Sequence, residues 1–285
     1  MVMKTSYKVH YSKIVFISII TLLCSFTTNG QNFAKEFLNN QKDSISQDIV
    51  YLYINPTINY RNESIDKIPN FNKLDSQTQK EMLNKYAPLI DKINDSILLT
   101  NYTQQIKNTL SDLGFKVIMV TNLDLLPKTI DQTTHTLNVA QMEIEEYTFT
   151  DSLIYEQDNK QTYYKQLNGV SFNSWLIYNE SDTNSRLVFY LDQELTDFFE
   201  GEIKFVDGNY FASYDYEKIN VEDAYMTANI SGTTSAQYFF NFLMNKYVWI
   251  KSSGIDIYYY GIDPKTKKIY SETQPFDNFD IVDYQ

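Results

Sequence analysis

The stretch SILLTNYTQQIKNTLSDLGFKVIMVT, residues 96–121, sets the first half of the fold. Its apolar side chains recur every three or four residues, which predicts a helix from Ser96 to Leu113 with one buried stripe. Gly114 then supplies a left-handed helix stop, and Phe115 is placed to pack back on the last turn. A strand, Lys116–Thr121, follows directly. The stripe consists of Leu98, Tyr102, Ile106, Leu110 and Leu113.

An earlier strand completes a βαβ-like unit. The apolar run Ile49–Ile54, ended by Asn55-Pro56, predicts a strand buried on both faces. The right-handed crossover rule places it parallel to the strand after the helix, in one sheet. Residues 57–95 form a long insertion, which we expect to be irregular over residues 57–72. From Asp75 the insertion has a helical composition, interrupted by Pro88.

The second half predicts antiparallel strands at Thr136–Thr150, Ser171–Asn179 and Arg186–Leu195. A helix is expected over Thr233–Tyr247, capped by Thr233 or Thr234. A final hairpin turns at Asp263–Thr266, between strands at Ile255–Gly261 and Lys268–Ser271. The predicted fold class is therefore α+β. It has a mixed β-sheet with a βαβ-like first half, an antiparallel second half and helices packed mainly on one face. The buried face of the last helix would hold Ala236, Phe239, Phe240, Leu243, Met244 and Tyr247.

Residues 1–30 have the layout of a secretory signal peptide. Three lysines precede a short apolar run, Ile14–Leu23, and Thr28 and Gly30 supply small or compact residues at a cleavage site before Gln31. A retained membrane anchor is one alternative. Lipid attachment at Cys24 is another, but Leu23 stands where a lipobox has a small residue. No other stretch is long and apolar enough to span a membrane, so no transmembrane span is expected in the mature chain.

The sequence predicts four segments. These are the signal peptide at 1–30, a polar N-terminal tether or fraying helix at 31–47, a single α+β domain at 48–250 with its insertion at 57–95, and a C-terminal β-hairpin and acidic tail at 251–285. The tail, which contains Asp280-Ile-Val-Asp283, is expected to be disordered.

Charge and composition exclude several classes of function. The 24 Lys and Arg and 36 Asp and Glu give a net charge of −12, which becomes −15 without the three leader lysines. Such a chain disfavours nucleic acid as a partner. Cys24 and His10 lie in the leader, so a mature chain would keep only His135. This excludes thiol nucleophiles, cysteine-based metal sites and multi-histidine zinc sites, and no cofactor is predicted.

The densest acidic cluster is Glu143–Glu146. On a strand, Glu143 and Glu145 would share one face, roughly 6.5–7 Å apart, and paired carboxylates serve glycosidases. The alternating apolar residues mark the opposite face as core, which favours a solvated outer face without catalysis. The alternative is a hydrolase in which Glu143 works with Asp192 or Glu194.

His135 precedes this strand. A general base needs a nucleophile and an orienting acid, and the chain has no Gly-x-Ser-x-Gly elbow. The sequence therefore predicts a surface loop histidine.

Tyrosine clusters supply the candidate binding surface. The chain has 24 Tyr, and amphipathic rings are enriched at contact surfaces. We expect two of the clusters to lie in loops and the third to alternate along a strand, with at least one ring facing outward. The alternative is that these rings fill a half-buried sheet. The candidate binding residues are Tyr163, Tyr164, Tyr214, Tyr216, Tyr258 and Tyr260.

The element order, together with the stretch Leu110–Val117, resembles bacterial periplasmic α/β envelope domains over residues 48–250. These domains occur in curli-secretion-type lipoproteins, penicillin-binding-protein activators and the N-terminal domain of the translocation protein TolB. The resemblance implies a non-catalytic adaptor. The chain departs from it in the insertion and in the weak lipobox, and no binding residue carries over.

Exported Bacteroidetes proteins offer a second resemblance. Their O-glycosylation signal is similar to Asp43-Ser44-Ile45, Asp95-Ser96-Ile97 and Asp151-Ser152-Leu153. Gln31, directly after the expected cleavage site, is also similar to that group.

These observations predict a non-catalytic exported cell-envelope protein that acts as a binding or assembly adaptor. It would be periplasmic or outer-membrane associated, with an envelope protein or a cell-wall or glycan component as partner. A carbohydrate-binding or surface-recognition module that uses the Tyr clusters is one alternative, and a carboxylate-dependent hydrolase is another.

We predict cleavage between Gly30 and Gln31, because the lysine-rich start, the short apolar run and the small residues before Gln31 together form a signal peptide. Mass spectrometry of the exported protein should show a mature chain that begins at Gln31. A chain that begins at Cys24 with added acyl mass would contradict this prediction.

Overall fold

The computed structural model describes residues 29–43, 45–127, 131–155, 160–179, 186–254, 258–273 and 281–283. The predicted signal peptide lies outside these residues except for its last two. The helices are α1 (29–40), α2 (Glu63–Asp66), α3 (Ser76–Tyr86), α4 (Asp95–Asp112) and α5 (Val221–Lys251). The strands are β1 (Ile49–Ile54), β2 (Ile58–Asn62), β3 (Lys116–Val120), β4 (Thr134–Tyr155), β5 (Gln161–Asn179), β6 (Arg186–Thr196), β7 (Phe198–Val206), β8 (Asn209–Glu217), β9 (Tyr259–Ile262), β10 (Ile269–Glu272) and β11 (Ile281–Asp283).

Among the described residues, seven strands form one mixed sheet. Its order is β11-β6-β5-β4-β1-β3, and β2 pairs with β4 beyond the end of β1. β1 runs parallel to β3 and β4, and β2 runs parallel to β4, whereas β4, β5, β6 and β11 are antiparallel neighbours. β7 with β8 and β9 with β10 form separate two-stranded sheets. The predicted α+β class, with its parallel first half and antiparallel second half, is confirmed.

The core lies between one face of this sheet and the helices. Every second residue of the central strands, such as Leu52, Ile144 and Phe172, joins a single buried cluster with α1, α4 and α5. The predicted stripe of α4 is buried, with each of its five side chains at most 1% exposed. Gly114 adopts the left-handed conformation that the sequence predicts, at φ 110°.

α4 and α5 pack at close range. A Cβ atom on Gly232 of α5 would lie 2.7 Å from the carbonyl oxygen of Tyr102, so only glycine allows this approach. Beside this contact, the Tyr102 hydroxyl and the Ser235 hydroxyl share a buried hydrogen bond of 2.9 Å. The contact fixes both helices on the same face of the sheet.

The N-terminal half contains two departures from expectation. Residues 29–40 form α1, and Ala34, Phe37 and Leu38 enter the core, so the segment expected to be a tether or a fraying helix is a helix packed into the domain. Residues 58–62, expected to be irregular, form β2. β2 pairs with β4 because Ile58 and Tyr60 face the core while the polar residues between them face outward.

The C-terminal half contains two further departures from expectation. α5 begins at Val221 rather than near Thr233, because Asn220 and Asp223 form a capping box at its start. The acidic tail, expected to be disordered, supplies β11, which pairs with β6. The predicted turn at residues 263–266 does join β9 to β10, and α3 is capped by Asp75 and ends before Pro88.

Replacing Phe239 with alanine should lower the free energy of unfolding by about 3–5 kcal/mol, because the ring is fully buried and its loss leaves a cavity. Met226→Ala, on a side chain of α5 that is 54% exposed, is the control and should change stability by less than about 0.5 kcal/mol. Urea melts measure both. Equal, small losses would contradict the packing of α5 into the core.

Candidate functional site

β4 and β5 extend well past the rest of the sheet. β2 leaves β4 at Glu146 and β6 leaves β5 at Gly169, after which β4 and β5 pair only with each other in the described ladder. The β7–β8 hairpin packs on one side of this extension. We call the resulting two-layer projection, residues 148–155, 161–168 and 198–217, the arm.

The two layers of the arm meet along an aromatic seam. The rings of Tyr163 and Tyr214 stack with centroids 5.4 Å apart, and the Tyr163 hydroxyl donates to the Tyr214 hydroxyl over 3.2 Å. Lys165 places its ammonium group 4.0 Å from the centre of the Tyr216 ring. The hydrogen bond from Tyr163 and the charge of Lys165 lower the pKa of Tyr214. The seam holds the β7–β8 hairpin against the extended strands.

Asp197 anchors the base of the arm. This carboxylate is 3% exposed and accepts hydrogen bonds from the backbone and side chain of Asn168, from the Ile219 amide and from the Tyr216 hydroxyl. It thereby connects β5, β8 and the chain that enters α5. A satisfied buried carboxylate of this kind stiffens the junction between the arm and the domain.

The other side of the extended strands is a surface without charge. Four directly opposed pairs lie on it, and the Tyr164 side chain, 69% exposed, projects from its middle. None of its eight residues is ionisable at neutral pH, although the whole chain carries a net charge of −12. We call this surface the neutral face. It consists of Thr148 with Asn168, Thr150 with Gln166, Ser152 with Tyr164, and Ile154 with Thr162.

The structure brings four of the six predicted tyrosines together. Tyr163, Tyr164, Tyr214 and Tyr216 all belong to the arm, although they lie on strands rather than in the loops expected from sequence. The other two lie elsewhere, beside α5. Tyr260 is 1% exposed and belongs to the core, so it is not a binding residue, and Tyr258 packs against the core. Its neighbour Tyr259 is the outward ring of that cluster, at 39% exposure.

The prediction that His135 is a surface loop residue is wrong. It lies on β4, 6% exposed, under the rings of Phe115 and Phe239. Its Nε2 atom is 3.2 Å from Asp48 Oδ2, and its Nδ1 atom is 3.3 Å from the Tyr178 hydroxyl. A neutral ring that donates from Nε2 to the carboxylate and accepts at Nδ1 satisfies both contacts.

Asp48 has a second partner that connects this cluster to α1. Gln41, directly after α1, donates from its side chain to Asp48 Oδ2, and the Asp48 amide donates back to the Gln41 side chain, each over 3.0 Å. Gln41 and Asp48 are both buried. The four residues Gln41, Asp48, His135 and Tyr178 therefore form one hydrogen-bonded group, which we call the His135 cluster. No local sequence pattern indicates this cluster, because its members are distant along the chain.

Four of the predicted acidic residues, Glu143, Glu145, Asp192 and Glu194, lie on the outer face of the sheet. Glu146 does not: it is 1% exposed and accepts hydrogen bonds from the Leu89 and Ile90 amides. Register places Asn173 of β5 between Glu143 of β4 and Asp192 of β6. The carboxylates therefore lie two strands apart, about 10 Å between backbones. Arg61 approaches Glu143 at 3.8 Å. Burial, followed by the charges of Glu194 and Glu145, raises the pKa of Asp192.

Within the described parts of the chain, no group of three His, Cys, Asp or Glu side chains is placed to hold a metal ion. None of the helices described has both the length and the apolar character needed to cross a bilayer.

No protein-family model matches the chain, and no curated protein matches it. Among solved structures, the chain is similar to a neuraminyllactose-binding hemagglutinin homolog from Helicobacter pylori, with 12% sequence identity and a TM-score of 0.33. The match covers 72% of this chain and 90% of that one. Similarity at this level does not assign a function.

Replacing His135 with phenylalanine should lower the free energy of unfolding by about 1–3 kcal/mol, because the buried Asp48 carboxylate loses a donor. Tyr178→Phe, which removes the hydroxyl at Nδ1, should cost about 0.5–1.5 kcal/mol. Urea melts of both variants test the cluster. If His135→Phe cost less than Tyr178→Phe, the pair with Asp48 would not be the stronger contact.

Proposed function

We propose that this protein is a non-catalytic recognition protein of the cell envelope, and that its arm binds uncharged glycans through the neutral face. The observation that carries the proposal is the composition of that face: eight side chains, none charged, around an exposed tyrosine. Export rests on the signal-peptide pattern of residues 1–30.

The chemistry of the neutral face suits a sugar chain. Thr148, Thr150, Ser152 and Gln166 offer hydroxyl and amide groups that exchange hydrogen bonds with sugar hydroxyls. The Tyr164 ring offers an amphipathic platform for the apolar face of a sugar. A neutral ligand also leaves no charge to be buried without a partner, which would cost free energy. These features favour an uncharged glycan over an anionic one.

The construction of the arm supports the same function. Strand pairing holds the neutral side chains in two parallel rows, and the aromatic seam braces the strands from behind. Asp197 ties the base of the arm to the domain. A surface of this kind pays little conformational entropy when a ligand binds, because its groups are already in place.

A second candidate function is assembly with a protein partner, as in the adaptor domains that the sequence resembles. The outer surface of the β7–β8 hairpin favours it, because Val206 and Phe211 are each about half exposed there and lie on adjacent positions near the turn. Exposed apolar side chains close together mark protein contact sites. This surface and the neutral face lie on opposite sides of the arm, so the two functions can be separated.

The glycan proposal is tested with immobilised neutral polysaccharides, followed by titration calorimetry with the oligosaccharides that bind. Tyr164→Ala should weaken binding at least tenfold, about 1.4 kcal/mol, because it removes the stacking platform. Stability should change by less than about 0.5 kcal/mol, since the ring is largely exposed. Thr150→Asp should also weaken binding, because it introduces a charge into the neutral face.

Two matched variants control this experiment. Phe211→Ala removes a ring that is 55% exposed on the opposite side of the arm, and it should leave glycan binding unchanged. Ser213→Asp adds the same charge as Thr150→Asp to an exposed strand position outside the neutral face. The assignment fails if no neutral glycan binds, or if the control variants weaken binding as much as the test variants.

A further inference from the structure

A cavity lies at the opposite end of the sheet from the arm. It has a volume of about 420 Å³ and opens where α1, the last turns of α5 and the start of β4 meet. Its floor is the His135 cluster. Because Asp48, His135 and Tyr178 are held by hydrogen bonds to one another, the floor presents fixed polar groups rather than mobile side chains.

Charges of opposite sign line different parts of this cavity. Lys246 and Lys251 come from α5, whereas Asp131 comes from the turn that leads into β4 and Asp48 lies in the floor. Lys251 is also paired with Glu36 of α1, at 3.5 Å, on the rim. The hydrogen bonds that Asp131 accepts, first from the Thr134 side chain and then from Thr133, lower its pKa. Its carboxylate is therefore ionised at neutral pH.

One part of the cavity wall is apolar, whereas Asn40, Ser46, Gln132 and Thr133 add polar groups elsewhere in the lining. Phe37 of α1 and Leu243 of α5 are both almost fully buried, and Ile250 stands at the mouth, 64% exposed. An apolar group of a ligand could pack against these three side chains and leave water. A cavity with a small number of placed polar groups and an apolar wall has the general composition of a small-molecule site.

We propose that this cavity binds a small zwitterion, an amino acid or a dipeptide with an apolar side chain. The ligand's carboxylate lies toward Lys246 on the α5 side. Its ammonium group lies toward Asp131 and Asp48, and its side chain lies on the wall formed by Phe37 and Leu243. Neither a purely anionic nor a purely cationic ligand fits, because each would meet two charges of its own sign.

The test is titration calorimetry of the folded protein with L-phenylalanine and with L-leucyl-L-phenylalanine, which separate the two sources of the zwitterion. Two blocked derivatives isolate each charge: N-acetyl-L-phenylalanine lacks the ammonium group, and L-phenylalanine amide lacks the carboxylate. We expect saturable binding of at least one zwitterion. Each of the two blocked derivatives should bind at least tenfold more weakly than the zwitterion from which it is made.

Two variants then assign each charge to a wall. Lys246→Gln should weaken the binding of L-phenylalanine at least tenfold and leave the binding of L-phenylalanine amide unchanged. Asp131→Asn should also weaken the binding of L-phenylalanine, but it should leave the binding of N-acetyl-L-phenylalanine unchanged. Asparagine keeps the side-chain oxygen that accepts from the Thr133 amide, so the turn is preserved. If the dipeptide is the ligand, its N-acetylated and amidated forms replace the phenylalanine derivatives.

Lys265→Gln and Asp215→Asn, at exposed positions outside the cavity, are the matched controls. Two results overturn the proposal. The first is the absence of saturable binding by either zwitterion. The second is binding that does not depend on charge. This would be seen if the blocked derivatives bound as tightly as the zwitterion, or if the control variants lost as much affinity as the test variants.

Discussion

The structure depends on the long pairing of β4 with β5, which has one register shift, between Val139 and Gln141. From Gln141 to Tyr155 every residue of β4 has a partner on β5, so the two-residue alternation of side chains never slips. In the domain this alternation directs Met142 and Ile144 toward the helices. Further along the same strands it directs Thr148 and Thr150 to the same side, where no helix covers them in the described structure. The core face and the neutral face are therefore the same side of the β4–β5 pair, covered by helices in the domain and uncovered in the arm.

This continuity explains why a strongly acidic chain has an uncharged surface. Carboxylates occupy the outer face of the sheet at Glu143, Glu145, Asp192 and Glu194, which belong to the opposite alternation. Past the end of β6, aromatic rings of the β7–β8 hairpin cover that alternation, and Lys165 of β5 packs against two of them. The charge that keeps the protein dispersed in water is thus confined to other surfaces.

Some elements could be predicted because the residues that determine them are neighbours along the chain. The stripe of α4, the stop at Gly114 and the apolar runs of β1 and β3 each contain their own evidence, and the structure agrees with them. α1 and the start of α5 also left signals that could have been used. Ala34, Phe37, Leu38 and Gln41 have helical spacing, and Asn220 with Asp223 has the spacing of a capping box.

Other features could not have been predicted from the sequence, because they depend on contacts between distant residues. Burial of His135 requires Asp48 and Tyr178, which come from other strands or their flanks. β2 has only two apolar residues facing the core, which are too few to reveal the two-residue alternation of a strand in the sequence. In the arm, both faces contain many polar residues, so the segments around Tyr163 and Tyr214 have the composition of loops.

The parallel position of β1 has a consequence for how the chain folds. Ile49 pairs with Thr134, and α4 meets α5 through Tyr102 and Ser235, so the contacts that close the core join the two halves of the chain. Loop-closure entropy must be overcome before such distant contacts contribute, which makes folding slower than in a bundle of locally paired helices. The apolar faces of β1 and α4 therefore stay exposed to solvent until α5 has been synthesised and has packed against them.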